Sequence, residues 1–353
     1  MIRKQSMKYL SFFPKDKSQW IYLIIRWSII GLFLLSAFYY MTRTPGSSYS
    51  GPLKPLSREE KQIRNNLEKH VKVLSDTIGE RHIRSFEQLK ASRDYISAAL
   101  EQSGYTLSYQ KYVVEGKTVE NIEAELLGKS IPDTIVVIGA HYDSVPLCPG
   151  ANDNASGVAA LLETARILAG KKFAKTLRFV AFVNEEPPYF QTKNMGSRVY
   201  AIRSRQRGEK IAAMLSLETI GSYSDEKGSQ NYPPPFNFYY SDTGNFIGFI
   251  SNLGSRELMF DMINSFRKNA GLPSEGIAAP RWIPGVGWSD HWAFWKERYK
   301  AVMLTDTAPF RYTFYHTPQD TWEKLDYDQM ARVVNGLVRV VSDLSDKEMQ
   351  NYR

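Results

Sequence analysis

The chain has a single cysteine among its 353 residues, Cys148, and that excludes any disulfide within it. The scarcity does not identify a compartment, because many exported proteins also do without disulfides. Charge imbalance nearly vanishes once the first 43 residues are set aside. Those hold seven Lys/Arg (positions 3, 4, 8, 15, 17, 26 and 43) against one acid, Asp16, and so carry +6 of the formal net charge of +8. The +2 left for everything else provides no basic surface for nucleic acid. Internal repeats are absent too. Apolar residues are plentiful. A hydrophobic content of 43% with seven Trp excludes a disordered chain. The length allows one large domain of roughly 250–300 residues with extensions.

The N-terminus carries a targeting signal. Residues 20–41 are apolar apart from Arg26, and 22 residues in a helix span a hydrocarbon core of about 30 Å. Arg26 lies near one end, where its head can reach the headgroups. Lys/Arg residues precede the run, which predicts a cytoplasmic N-terminus and an exported remainder. The exit, Ser36-Ala37-Phe38-Tyr39-Tyr40-Met41, lacks a small-x-small cleavage site, and no lipobox-type cysteine comes after it. An uncleaved signal anchor is therefore the expectation, with secretion after cleavage as the alternative. The expected organisation is a cytoplasmic basic segment (1–19), a transmembrane anchor (20–41), a Pro/Gly/Ser linker (42–56), a large folded domain (57–345) and a short tail (346–353).

Within the domain, Ser57-Arg58-Glu59-Glu60 is a capping box opening a helix to about residue 78. A second helix over 85–102 ends before Gly104. Strand-like segments occupy 107–114, 119–127, 134–140, 176–183, 212–217 and 301–305. Helical patterns cover 155–169, 196–206, 245–252, 255–269 and 327–344, and 271–288 reads as a loop rich in Gly, Pro and Trp. Buried strands alternating with helices predict a three-layer αβα domain on a mixed, mostly parallel sheet.

Four of the buried strands run into polar residues. The strand at 134–140 ends in His141, and 176–183 leads into Asn184-Glu185-Glu186. The strand at 212–217 meets Glu218, and 301–305 leads through a loop to Tyr315-His316. That edge of an open α/β sheet is where ligands gather. Unpaired buried charge is costly, and divalent cations would compensate it. His141, Asp153, Glu186, Glu218 and His316 are five N/O ligands, enough for two metals sharing a carboxylate. Two metals roughly 3.5–4 Å apart activate a water near neutral pH and polarise a carbonyl. Glu185, beside a ligand, is then free to act as general base and later acid.

His-Tyr-Asp-Ser at 141–144, Pro-Gly-Ala-Asn-Asp-Asn-Ala-Ser-Gly-Val at 149–158, the Glu-Glu pair, Ser-Asp-His at 289–291 and Tyr-His-Thr-Pro-Gln-Asp-Thr at 315–321 resemble the M28 family of zinc aminopeptidases, in the family's order. The likeness covers about residues 57–345 and points to a bacterial-type, membrane-anchored member. It implies two Zn²⁺ per chain and a peptide substrate. Asp153 would bridge the metals, with His141 and Glu218 on one and Glu186 and His316 on the other. By the same resemblance Glu185 is the proton shuttle, Asp143 orients His141, Tyr315 donates to the developing oxyanion and Asp290 stands near the general base. Two positions depart from the family pattern. It has Asp where this chain has Glu218, and it lacks the stretch from Pro187 to Met195 that here separates Glu-Glu from Gly196-Ser197.

Each residue also has a plainer reading. Alone, His141 would be a satisfied interior histidine, Glu185-Glu186 a solvated turn and Tyr315 a packed aromatic; their joint occurrence at strand ends favours the site. Trp282 and Trp288 either line a pocket or pack in a loop. Pro-Cys-Pro around Cys148 reads as a turn spacer, and the sequon at Asn154 as a false positive beside Asp153. Two alternatives to the peptidase stand. A glutaminyl-cyclase-like transferase would have one metal and lack the first His, and a non-catalytic ectodomain would have lost its ligands. Oligomeric state is not legible.

Overall fold

The structure is a computed structural model that describes residues 16–346. Most of the expected basic segment and of the expected tail lies outside the described residues. Contacts divide the chain after Arg43. The first unit contains helix α1 (Lys17–Thr42), capped by the Asp16 carboxylate, which accepts from the Gln19 amide at 2.9 Å. Its apolar side chains, Leu32, Phe33 and Leu35 among them, are exposed. It is long and apolar enough to cross a membrane.

The second unit begins with α2 (Arg58–Lys72), α3 (Phe86–Gln102), β1 (Leu107–Val114), β2 (Lys117–Leu126), β3 (Ile131–His141), α4 (Gly157–Leu168), β4 (Lys175–Phe182) and α5 (Gly196–Gln206). It continues with β5 (Lys210–Glu218), β6 (Ile247–Ser251), α6 (Arg256–Asn269), β7 (Ser274–Ala278), α7 (His291–Lys296), β8 (Ala301–Thr305), α8 (Ala308–Arg311) and α9 (Tyr327–Asp346). The capping box at α2 is formed. Ser57 Oγ accepts from the Glu60 amide at 3.1 Å, and the Glu60 carboxylate accepts from the Ser57 amide at 2.8 Å.

The eight strands form one sheet in the order β1-β2-β4-β3-β5-β8-β6-β7. The middle four, β4-β3-β5-β8, are mutually parallel, so their C-terminal ends share one edge. The β1–β2 hairpin joins β4 antiparallel on one flank, and β6, antiparallel to β8, brings parallel β7 on the other. Helices cover both faces, giving the expected three layers. β4 illustrates why: its residues alternate faces. Phe179 meets Tyr105 edge-on at 5.7 Å on the α3–α4 side, and Phe182 meets Tyr200 of α5 and Phe294 of α7 at 5.6 and 6.1 Å on the other.

Two expectations are overturned at the β6–β7 flank. Residues 245–252 are expected to be helical, yet Ile247–Ser251 is a strand. A short apolar run has no resolvable period, and pairing with β8 decides the matter. Residues 271–288 are expected to be loop, but Ser274–Ala278 pairs with β6. Its sequence, Ser-Glu-Gly-Ile-Ala, has little intrinsic strand preference, and the open sheet edge supplies the partner. In the stretch expected as linker, Arg267 donates to Thr44 Oγ1 at 3.0 Å and to the Pro45 carbonyl at 2.7 Å, and the Ser274 amide donates to Ser48 Oγ at 2.9 Å. This part of the chain therefore lies against β7.

A single register row crosses four strands on this flank. Glu218 of β5 stands opposite Thr305 of β8, Thr305 opposite Gly248 of β6, and Gly248 opposite Glu275 of β7.

Candidate metal centre

His141 and Glu218 are the last residues of β3 and β5. Glu185 and Glu186 come three and four residues after β4, beside His141 because Phe182 pairs with His141. Asp153 lies in the turn between β3 and α4, and His316 comes after β8 and α8. Their side chains converge. His141 Nε2 is 3.3 Å from Asp153 Oδ1, 3.3 Å from Glu218 Oε2 and 3.9 Å from Glu185 Oε2. His316 Nε2 is 3.0 Å from Asp153 Oδ2 and 3.5 Å from Glu186 Oε2. All five residues expected to hold metal are thus brought together, with Asp153 between two sets: His141 and Glu218 on one side, Glu186 and His316 on the other. The longer arm of Glu218 reaches the cluster. Ser289 Oγ donates to its Oε2 at 2.7 Å and is itself 2.9 Å from Ser216 Oγ.

Asp143 stands where the sequence places it, but it acts through different atoms. Its backbone carbonyl is 3.2 Å from His141 Nδ1, whereas its carboxylate is 3.6 Å away. The carboxylate oxygens instead accept from the amides of Glu185 and Glu186 at 3.1 and 3.0 Å. With Nδ1 turned to that carbonyl, Nε2 is the ring nitrogen left facing Asp153, the position a metal would take.

The turn holding Asp153 is tied down from several directions. Asp320 accepts from the amides of Asn152 and Asp153 at 2.8 and 3.1 Å and from the Tyr312 hydroxyl at 3.0 Å. Asn154 donates to the Leu217 carbonyl at 2.8 Å and accepts from the amides of Gly157 and Thr219, both at 3.1 Å. A Cβ on Gly157 would lie 2.3 Å from Asn154 Oδ1, so glycine is required at that approach. The buried, bonded Asn154 amide is inaccessible for glycosylation in the fold, as expected. Arg81, wholly buried, donates to the carbonyls of Tyr142, Pro149 and Gly150 at 2.8, 2.6 and 2.9 Å and pins both ends of the loop after β3. Sequence reasoning misses Arg81, Asp320 and the role of Ser289. Asp320 lies within the Tyr-His-Thr-Pro-Gln-Asp-Thr motif and Ser289 opens Ser-Asp-His; nothing in spacing or pattern marks Arg81.

The charges are crowded. Burial raises the Glu185 carboxyl well above the usual range; His141 opposes this and the Glu186 and Glu218 charges add to it. Burial, reinforced by Asp153, pushes Glu186 up to about 8. Burial disfavours charge on His316, but Asp153 and Glu186 outweigh it and raise it to about 10. Burial likewise opposes charge on His141, and the surrounding carboxylates again prevail. Burial would raise Asp153, but the two imidazoles hold it well below the carboxylate range. Asp290, fully buried, is raised to about 7 by burial, and its charge adds to that felt by Glu185. Acidic groups outnumber the two imidazoles, and two buried carboxylate oxygens, Asp153 Oδ1 and Glu186 Oε1, accept no hydrogen bond. Such oxygens call for a cation.

The Tyr315 ring stacks on His316 at 3.9 Å. Burial and the neighbouring carboxylates raise its phenol far above the ordinary range, so it remains a donor. Cys148 is buried and its thiol pushed up to about 12, mainly by burial, in keeping with a spacer. Trp282 is 79% exposed, whereas Trp288 stacks with Phe310 and lines a cleft that includes Glu218 and Tyr315. Within the stretch inserted after Glu186, Gln191 donates to the Gly287 carbonyl at 3.0 Å, next to that wall.

Known proteins resemble this chain in sequence or in fold. The uncharacterized protein YfbL of Escherichia coli K12 is 36% identical over 284 residues, 78% of this chain and 86% of its own. Aminopeptidase YwaD of Bacillus subtilis is 28% identical over 258 residues, 71% of this chain; the match spans 50% of YwaD. Among solved structures, BSAP, a zinc aminopeptidase from Bacillus subtilis, has a TM-score of 0.66 at 17% identity, covering 84% of this chain and 98% of BSAP. The glutaminyl cyclase of Bacteroides thetaiotaomicron has a TM-score of 0.61 at 17% identity, over 83% of this chain and 99% of the cyclase. At such identity these two likenesses are of fold. The model of Peptidase family M28 matches residues 121–341, a span that takes in every residue of the cluster, and the chain belongs to that family.

Proposed function

We propose that this protein is a membrane-tethered, two-zinc aminopeptidase that removes the N-terminal residue of peptides. The observation carrying this reading is the shared position of Asp153 between two buried donor sets. Imidazole and carboxylate are zinc's donor chemistry, and the two unpartnered carboxylate oxygens fit a cation. His141 and Glu218 would hold one ion and Glu186 and His316 the other, with Asp153 shared. Bound there, zinc supplies Lewis acidity toward the scissile carbonyl and acidifies a water.

The chain's own groups then divide the remaining work. Glu185, whose burial and neighbours give it a high proton affinity, accepts the proton of the attacking water and delivers it to the leaving amine. Tyr315 donates to the oxygen that gains charge. Asp143 keeps His141 and the Glu185-Glu186 backbone in place. The acidic surroundings attract a free α-ammonium, in line with an exopeptidase, and YwaD and BSAP are both called aminopeptidases. Helix α1, preceded by basic residues, would anchor the protein with its N-terminus cytoplasmic and the domain of residues 57–345 outside.

The test is Glu185→Ala, which should lower cleavage of aminoacyl-anilides by about 10²–10⁴-fold while two zinc per chain remain by metal analysis. Undiminished hydrolysis sinks the mechanism. A single zinc would instead favour the cyclase-like reading, in which His141 has no task.

A further inference from the structure

We propose that the cleft beside the metal centre accepts a substrate N-terminal residue with a long cationic side chain, lysine or arginine, and that Glu275 selects it. The inference rests on the aminopeptidase reading and adds to it the class of residue removed.

The register row places the two ends of this cleft. Glu218, Thr305, Gly248 and Glu275 lie opposite one another on four adjacent strands. Residues so paired project from the same face of a sheet. Three strand spacings separate Glu218 from Glu275, about 14 Å between Cα atoms. Between them lie only the small Thr305 and Gly248, and glycine leaves the floor low. All four residues line the cleft. The next residues on that face, Ile250, Ile277 and Met303, and the stacked pair Trp288 and Phe310 make its sides apolar. The result is a trough that starts at the Glu218 carboxylate, runs along apolar walls and ends at a second carboxylate.

That second carboxylate has no partner of its own. Among the described residues no side chain hydrogen-bonds or ion-pairs with Glu275. Arg267, whose charge acts on Glu275 through space, directs its hydrogen bonds elsewhere, donating to Ser274 Oγ and the Ser274 carbonyl, Thr44 and Pro45. Beside it the buried Tyr232 hydroxyl, also lining the cleft, makes no hydrogen bond. Burial raises the Glu275 carboxyl above its ordinary value, with Arg267 only partly opposing this. An unpaired carboxylate and an unpaired phenol at the end of an apolar trough match a side chain with an aliphatic stem and a cationic head. Leucine or phenylalanine would fill the walls but stop short of Glu275.

The test uses the full chain in detergent, loaded with zinc, with arginyl-, lysyl- and leucyl-anilides. The wild type should prefer Arg and Lys over Leu in kcat/KM. Glu275→Gln should lower the Arg-to-Leu ratio by roughly 10- to 100-fold, and Tyr232→Phe should lower it less, because a charge-assisted hydrogen bond is worth more than a neutral one. A wild type that prefers Leu, or a ratio unmoved by Glu275→Gln, overturns the proposal. If no anilide is cleaved, the aminopeptidase reading fails on its own account. Calorimetric binding of free L-arginine against L-leucine then decides about the trough. Arginine binding that weakens in Glu275→Gln supports it, and binding that is absent or indifferent to the substitution overturns it.

Discussion

The cleft has two banks that differ in construction. On the first, the parallel strands β3, β4 and β5 run into His141, Glu185-Glu186 and Glu218, and each polar residue sits at or within four residues of its strand's end. On the second, β6, β7 and the loop through Trp288 set apolar side chains around a floor of Thr305 and Gly248. The first bank is dense in hydrogen bonds that fix direction, such as Asp143 to two amides and Ser289 to Glu218. The second is held by packing and strand pairing at the sheet edge. Chemistry requires fixed donors, so the first bank tolerates little change. Selection among substrates requires only shape and one charge, so the second can vary while the reaction stays the same.

This contrast can be broken at defined places. Asp153→Asn should have the largest effect, because it removes the carboxylate that both donor sets share. Metal analysis should find zinc lost from the chain and hydrolysis of every substrate should fall by more than about 10⁴-fold. Retention of two zinc would refute a shared ligand. Tyr315→Phe should reduce kcat by about 10²–10³-fold with KM little changed, the signature of a donor used in the transition state. A change confined to KM would assign Tyr315 to the second bank.

The third prediction concerns the second bank itself. The buried His291 has its Nε2 2.8 Å from the carbonyl of Val286, a residue of the cleft wall, and burial pushes its pKa down to about 4. A histidine that resists protonation in the fold contributes stability that is intact above its ordinary value of 6.5 and is lost as pH falls through about 4. Acidification from pH 7 to pH 4 should therefore cost about 3 kcal/mol through this residue. Urea unfolding at the two pH values should show that share of the acid slope missing in His291→Phe; an unchanged slope refutes it. The smallest effect is expected for Ser289→Ala. Loss of the hydrogen bond to Glu218 should weaken one zinc roughly tenfold, and titration with a competing chelator would show one affinity changed and the other kept. Equal weakening of both would mean that the two sets are not separable.

Legibility in the sequence divides along the same line. His141, Glu185, Glu186 and Glu218 can be found because a buried strand announces itself by an apolar run, and the polar residues just past such a run sit at the sheet's edge; Asp153 and His316, eleven or twelve residues beyond their strands, are legible through the motifs around them. The capping box at Ser57 and the strands at 107–114 and 176–183 are legible for similarly local reasons. The β6–β7 flank escapes because five-residue strands at a sheet edge have no period of their own. Arg81 is invisible because its partners are carbonyls up to 69 residues away, which no side-chain pattern encodes.

By itself, then, the order of residues determined the alternation of strands and helices, the apolar N-terminal run and the identity of the groups able to bind metal, since each depends on neighbours within a few positions. Only the tertiary structure decided that Asp153 lies between two donor sets, that Asp143 acts through its carbonyl and that Glu275 faces Glu218 along one row. The first and third of those facts depend on register and on the order of strands in the sheet, which bring together residues as far as 163 positions apart, and the second on the conformation of the turn after β3.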